Sequence, residues 1–369
     1  MKDGKHRSPV TGHRSRLVAA AVLPLLLAGC ANIEYYLNSM SGQFEIWRRE
    51  RPIDELLANA EITEPLKKRL GTVLQIREFA SRELSLPDNR SYRTYADLER
   101  PFVVWNVFAA PEFSVRPVQW CFALVGCVNY RGYFSAGEAG RYAAELSAGG
   151  YDVHVGGIAA YSTLGWFADP ILNTVIHYST PRLARLVFHE LAHQVVFARG
   201  DTVFNESFAV AVEREGVRRW LQRYGSPRDQ ADFDRGAGRR EDFLALVMAY
   251  HGKLDTLYRS GVERDEMRAA KKRLFADMDQ EYQQLKVKWG GFSGYDRWFG
   301  RGVNNAQVAS IAVYTQMVPA FEALLAQSGG DLPEFYRRVI ELSKVPKAER
   351  NRILAALAVQ VASTERRRN

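Results

Sequence analysis

His189-Glu190-Leu191-Ala192-His193, followed by Phe204-Asn205-Glu206-Ser207-Phe208-Ala209, is the stretch on which the reading of this chain turns. Two histidines four apart lie on one face of a helix, so both imidazoles can reach one ion. Glu190, beside the first histidine, can reach a water that the ion holds. Glu206, thirteen residues past His193, offers a third ligand. Three protein ligands and an open position make a catalytic zinc site, whereas a structural site is closed by four.

The flanking residues favour that reading. Leu183, Leu186, Val187, Leu191 and Val195 recur at helical spacing. Thr180 is expected to cap this helix, Pro181 fits its first turn, and Gly200 is expected to stop it. A second helix is expected to carry Glu206 onward to about Tyr224, so that two packed helices present His189, His193 and Glu206 to one zinc ion per chain. Phe188, Leu191, Val195 and Val196 crowd the motif, and burying two histidines there without a partner would be costly. Glu190 is the expected general base, taking a proton from water and passing it to the leaving amine. The developing oxyanion needs a further donor. Tyr161 and Tyr314, in small-residue or polar surroundings, are candidates, and each is also compatible with a place in the core.

At 369 residues the chain can bury a substantial core, and 12% aromatic residues argue against extensive disorder. The net charge of +8 is half disposable, because Lys2, Lys5, Arg7, Arg14 and Arg16 stand against Asp3 within residues 1–29. The remaining charges are scattered and no nucleic-acid motif accompanies them, so nucleic acid is not an expected partner.

Residues 1–29 read as a targeting segment: a basic stretch to Arg16, then an apolar run from Leu17 to Leu27 that is too short to span a bilayer. Leu27-Ala28-Gly29-Cys30 resembles the lipobox of bacterial lipoproteins. That resemblance implies that Cys30 becomes the lipidated first residue and anchors the chain to a membrane. Ala31, where an aspartate would resemble an inner-membrane retention signal, points to the outer membrane, facing the periplasm. In that oxidising compartment Cys121 and Cys127 are expected to pair, with Gly126 easing the turn.

Along the chain, residues 30–100 read as an N-terminal helical region, broken by a loop at Pro87-Asp88-Asn89. Residues 101–224 read as a sheet plus the zinc-site helices. Strands are expected at Phe102 to Trp105, Tyr130 to Phe134 and Tyr151 to Gly157, with Ile158 to Trp166 extended. Ser135 can cap a helix from Ala136 to Ala148 that Gly149-Gly150 ends. Residues 225–369 read as a helical C-terminal region, with a loop at 225–240, an antiparallel pair at 241–289 and an aromatic, Gly-rich loop at 290–302. Strands before residue 180 and helices after it make the class α+β, with a small mixed sheet before the HExxH helix.

Asn205-Glu206 after HExxH resembles the gluzincin pattern and is similar to the Asn-Glu-Gly-Phe-Ala of zinc aminopeptidases related to aminopeptidase N. The twelve-residue spacer is shorter than theirs. From about residue 30 to 360 the chain resembles a bacterial family of predicted aminopeptidases with lipoprotein signals. The matching stretches are Trp120-Cys121 to Phe134, Ala160 to Trp166, Phe188 to Gln194, Phe204 to Ala209 and Asn304-Asn305-Ala306. The resemblance implies ligand roles for His189, His193 and Glu206 and the base role for Glu190. It also implies a substrate-binding edge strand before the motif, a place that Gly157 to Gly165 occupies. Aminopeptidase N-like enzymes keep a glutamate there for the substrate amine; this segment has none, and Asp169, Glu213 or an acid elsewhere could substitute, with nothing in the sequence selecting one. Asn304-Asn305 has amides suited to backbone recognition, or to helix capping.

These observations imply a zinc metallopeptidase of the cell envelope acting on peptides, with an aminopeptidase first among the readings. Two others use the same residues: a zinc endopeptidase or amidase on envelope substrates, and a non-catalytic zinc-binding envelope lipoprotein. The intact Glu190 speaks against the last, since a structural site has no need of it.

Overall fold

The structure, a computed structural model, describes residues 42–122, 126–160, 163, 167–300, 302–312 and 317–368. Cys30 with the whole targeting segment, and the tyrosine candidates Tyr161 and Tyr314, lie outside the described residues. Residues 1–48 and 49–369 form two compact units. In the first, residues 42–48 are helical. The elements below belong to the second. No described helix is long and apolar enough to cross a membrane.

The strands of this unit are β1 (Arg51–Pro52), β2 (Thr94–Ala96), β3 (Val104–Pro111), β4 (Trp120–Phe122), β5 (Gly126–Val128), β6 (Arg131–Tyr133), β7 (Tyr151–Ile158) and β8 (Ile171–Leu172). One small mixed sheet is expected from the sequence; the described strands make three. β1-β2-β8 is mixed, β6-β3-β7 is antiparallel, and β4-β5 is a hairpin. β3 begins two residues later than the apolar run at 102–105 suggests and continues to Pro111. Val107, Phe108, Ala109 and Ala110 are all buried there. The two alanines give no β signal of their own, and burial between neighbours decides their state. β3 packs on helix Ala136–Ala148, which Ser135 caps as expected, and on helix Asn305–Ala312.

The expected helical region before residue 100 needs correction. In this unit it contains helices Ile53–Ala58 and Glu64–Arg82, but 83–100 is not helical. Arg77, fully buried, donates to the carbonyls of Pro87, Asn89 and Ser91 at 2.6, 3.1 and 2.9 Å. Those bonds satisfy carbonyls that a helix would otherwise pair, and they bind the loop back onto the helix it follows.

The loop expected at 225–240 is also corrected: residues from Pro227 begin a helix running to Tyr258. Ser226 Oγ accepts from Asp229 N (3.2 Å) and Asp229 returns a bond to Ser226 N (2.9 Å), a capping box with Pro227 in the first turn. This helix pairs with Arg264–Lys288. The aromatic loop beyond them joins their core rather than standing free. Tyr295 stacks on Phe243 and Tyr282 on Phe299, each at 4.0 Å.

The HExxH helix spans Thr180–His193, with Ser179 at the cap position and Thr180 already inside. It stops at His193 and not at Gly200. The reason lies in Asn205, whose amide accepts from Ala198 N (2.7 Å) and donates to Ala198 O (2.9 Å). This clasp gives the loop's backbone the partners that another helical turn would have supplied. The next helix, Thr202–Tyr224, is capped by Asp201. Asp201 is buried in turn against Arg350 of the C-terminal helix Lys347–Arg368, at 2.5 Å.

The two helices around that loop pack tightly through Gly216. A Cβ there would lie 2.7 Å from Phe188 and 2.8 Å from Leu84. Gly216→Val is expected to cost stability at the upper end of about 1–3 kcal/mol by overpacking, read as a lower urea midpoint at unchanged slope. A midpoint equal to wild type would mean that the helices can separate freely.

Candidate metal centre

His189 and His193 leave the HExxH helix one turn apart, and Glu206 faces them from the second turn of Thr202–Tyr224. Their ligand atoms all lie within 4.8 Å of one another. The two Nε2 atoms are 3.2 Å apart. Glu206 places Oε2 3.3 Å from His189 Nε2 and Oε1 3.8 Å from His193 Nε2. Glu190 lines the same cleft, of about 480 Å³.

The second nitrogen of His189 is also held. Glu213, seven residues after Glu206 and so on the same helix face, has Oε2 2.9 Å from His189 Nδ1. Its other oxygen accepts from Arg185 Nε at 2.6 Å. Arg185 stands four residues before His189, again on one face. Burial pushes the Glu213 carboxyl up, but Arg185, the His189 bond and Arg240 outweigh it and hold it at about 2. Glu213 is therefore a buried carboxylate that orients a ring, and not an acid exposed to a substrate amine. His193 has no such support: it is buried, and its Nδ1 has no hydrogen-bond partner. Burial pushes its pKa down to about 4, so its ring is neutral. Burial, reinforced by the Glu206, Asp169 and Glu213 carboxylates and opposed by His189, raises Glu190 to about 7.

Of the other residues singled out by sequence, Asp169 is buried and accepts from Thr163 Oγ1 (2.8 Å), while its backbone N–H reaches Ser91 Oγ. Asn304 and Asn305 do recognise backbone, but it is the chain's own. Asn304 Nδ2 donates to Val153 O of β7 (2.9 Å), and Asn305 Nδ2 to Glu112 O (2.9 Å). Asn304 also caps, accepting from Gln307 N. Cys121 and Cys127 are joined by a disulfide across the β4–β5 hairpin, where Gly126 takes φ +79°. β7 lies at the edge of its sheet and leads toward the HExxH helix.

The cleft has further walls that sequence reasoning missed. Arg182, Arg185 and Arg240 line it, with Phe243, Tyr295 and Trp298 from the second core. The spacing of Arg185 and Glu213 from the ligands was a usable signal. Nothing local marked Arg240, whose guanidinium burial and Arg185 lower to a pKa of about 10, still a cation at neutral pH. What the arrangement offers is three metal donors, a carboxylate beside them, and a half-apolar cleft for a substrate.

No curated protein and no solved structure matches the chain. The family model described as "Putative aminopeptidase" matches residues 34–354, most of the chain, and the chain belongs to that family.

Proposed function

We propose that the protein is a zinc-dependent metallopeptidase with a gluzincin-like site, acting as an aminopeptidase in the cell envelope. The observation that carries this reading is the meeting of His189, His193 and Glu206 at a cleft that Glu190 also lines. The donors fit the ion. Tetrahedral ligands at about 2.0–2.2 Å from zinc stand about 3.3–3.6 Å apart; here the two Nε2 atoms are 3.2 Å apart, and Glu206 brings Oε2 to 3.3 Å from His189 and Oε1 to 3.8 Å from His193. Two imidazoles and one carboxylate are also the number of protein ligands that a hydrolytic zinc site uses.

When bound, zinc supplies Lewis acidity, which polarises the scissile carbonyl and acidifies water. The chain's residues do the rest. Glu190 accepts a proton from the attacking water and returns it to the departing amine nitrogen. Glu213 accepts from His189 Nδ1–H, which fixes the tautomer and leaves Nε2 free to ligate. The neutral ring of His193 offers Nε2 likewise. Tyr161 and Tyr314 are the proposed donors to the developing oxyanion. The Leu27–Cys30 stretch supports a lipid anchor, and the Cys121–Cys127 bridge supports an oxidising compartment.

The test uses the chain from Cys30 onward. Metal analysis is expected to return one zinc per chain, with cleavage of free peptides from the amino end. Cleavage confined to N-blocked peptides would replace the aminopeptidase by an endopeptidase. Retention of iron in place of zinc, with no hydrolysis, would overturn the reading. Glu213→Gln is expected to weaken zinc affinity by about 10–100-fold, the usual effect of losing a carboxylate behind a ligating histidine. A competition titration with a chelator measures it, and wild-type affinity would remove Glu213 from the site.

A further inference from the structure

We propose that Arg240 is the residue of this cleft that takes a substrate's carboxylate, and that the substrates are short peptides whose own C-terminal carboxylate it binds. The proposal rests on the metallopeptidase reading above and narrows its substrate class.

The charges of the cleft carry the inference. Its acids are Glu190, Glu206 and Glu213. Glu206 and Glu213 are both spent on His189, and Glu213 also on Arg185. Glu190 is reserved for the proton. Among the described lining residues no acid is left for a substrate amine. The cations differ. Arg185 is hydrogen-bonded to Glu213, whereas Arg240 acts on Glu213 only through space, makes no hydrogen bond or ion pair among the described residues, and has its Nε buried without a partner. Arg182 lies flat on the Tyr178 ring at 3.6 Å and likewise has no carboxylate within reach among the described residues. The uncommitted charge of the cleft is therefore positive.

A guanidinium drawn partly out of water, with its Nε buried and unpartnered, carries a cost that is offset when an anion arrives. Its planar fork of donors matches a carboxylate in two parallel bonds. Arg240 shares the cleft with the metal donors, and a volume of about 480 Å³ accepts only a few residues. A carboxylate that reaches Arg240 while the scissile bond lies at the metal donors belongs to a short peptide. Leu186, Val210, Phe243 and Trp298 offer apolar contact to its side chains.

The experiment compares a dileucine free acid, its C-terminal amide, and a leucyl-glutamate amide on the zinc-loaded enzyme. The acid is expected to exceed its amide in kcat/KM by about 10–100-fold, the range of one charge-assisted hydrogen bond. Arg240→Met is expected to bring that ratio near one, and Arg240→Lys to keep part of it. Calorimetry on zinc-loaded Glu190→Gln, in which turnover is slow beside binding, should show the same preference, lost when Arg240→Met is added. Equal handling of acid and amide by wild type and by Glu190→Gln would overturn the proposal without any Arg240 variant. A preference restored by the glutamate side chain would keep the carboxylate site but overturn its assignment to the C-terminus. Tighter binding of the acid with no hydrolysis by wild type would leave Arg240 standing and remove the peptidase reading.

Discussion

Glu190→Gln should keep its zinc and lose about 10²–10⁴-fold in kcat, the contribution of a general acid–base group. The carboxamide has nearly the shape of the carboxylate, so the cleft and the three ligands beside it keep their packing. What it lacks is basicity, and no other acid of the cleft can replace it. Glu206 faces His189 and His193, and Glu213 is locked between His189 and Arg185. Metal analysis and steady-state rates on the same preparation check the prediction. A variant with full zinc and more than a tenth of the wild-type rate would take the proton work away from Glu190.

Glu206→Ala should act earlier, on the metal itself. Structural zinc binds with about 10–16 kcal/mol through four ligands, roughly 3 kcal/mol for each, and losing one should weaken affinity about 100-fold or more. Hydrolysis should vanish at zinc concentrations that saturate wild type and return in part at high zinc. The fold should persist, because the Glu206 side chain looks into the cleft and the core of its helix is built by Phe204, Phe208 and Val212. The loss should exceed that of Glu213→Gln, which removes support and not a ligand. Undiminished affinity in Glu206→Ala would place the third ligand elsewhere.

The meeting of His189, Glu190, His193 and Glu206 at one cleft was legible because helix geometry alone brings the first three together, and a short spacer brings Glu206. Capping rules likewise gave the helix at 136–148. Roles set by distant partners were not legible. Asn304 reads as a free amide in any local window, yet its partner is the carbonyl of Val153, 151 residues earlier. Glu213 reads as an available acid until Arg185 and His189 close on it. Arg240 lies in a Gly-, Asp- and Arg-rich stretch that reads locally as a loop, and the Ser226–Asp229 capping box starts it as a helix that brings Arg240 to the cleft. Pro87-Asp88-Asn89 marks a loop, but its reach from 83 to 93 does not show locally: Arg77 is a surface residue by composition and a core residue by its carbonyl partners.

The pair between Asp201 and Arg350 sets a timetable. It joins the loop between the ligand-bearing helices to a side chain made 149 residues later. During synthesis the chain carries His189, His193 and Glu206 long before Arg350 exists. Until then Asp201 stays in water, and its burial waits for that partner. The helices on either side of that loop pack directly on each other, and the last helix secures the loop between them. The loop beside the candidate metal centre is therefore completed only when the C-terminal helix docks.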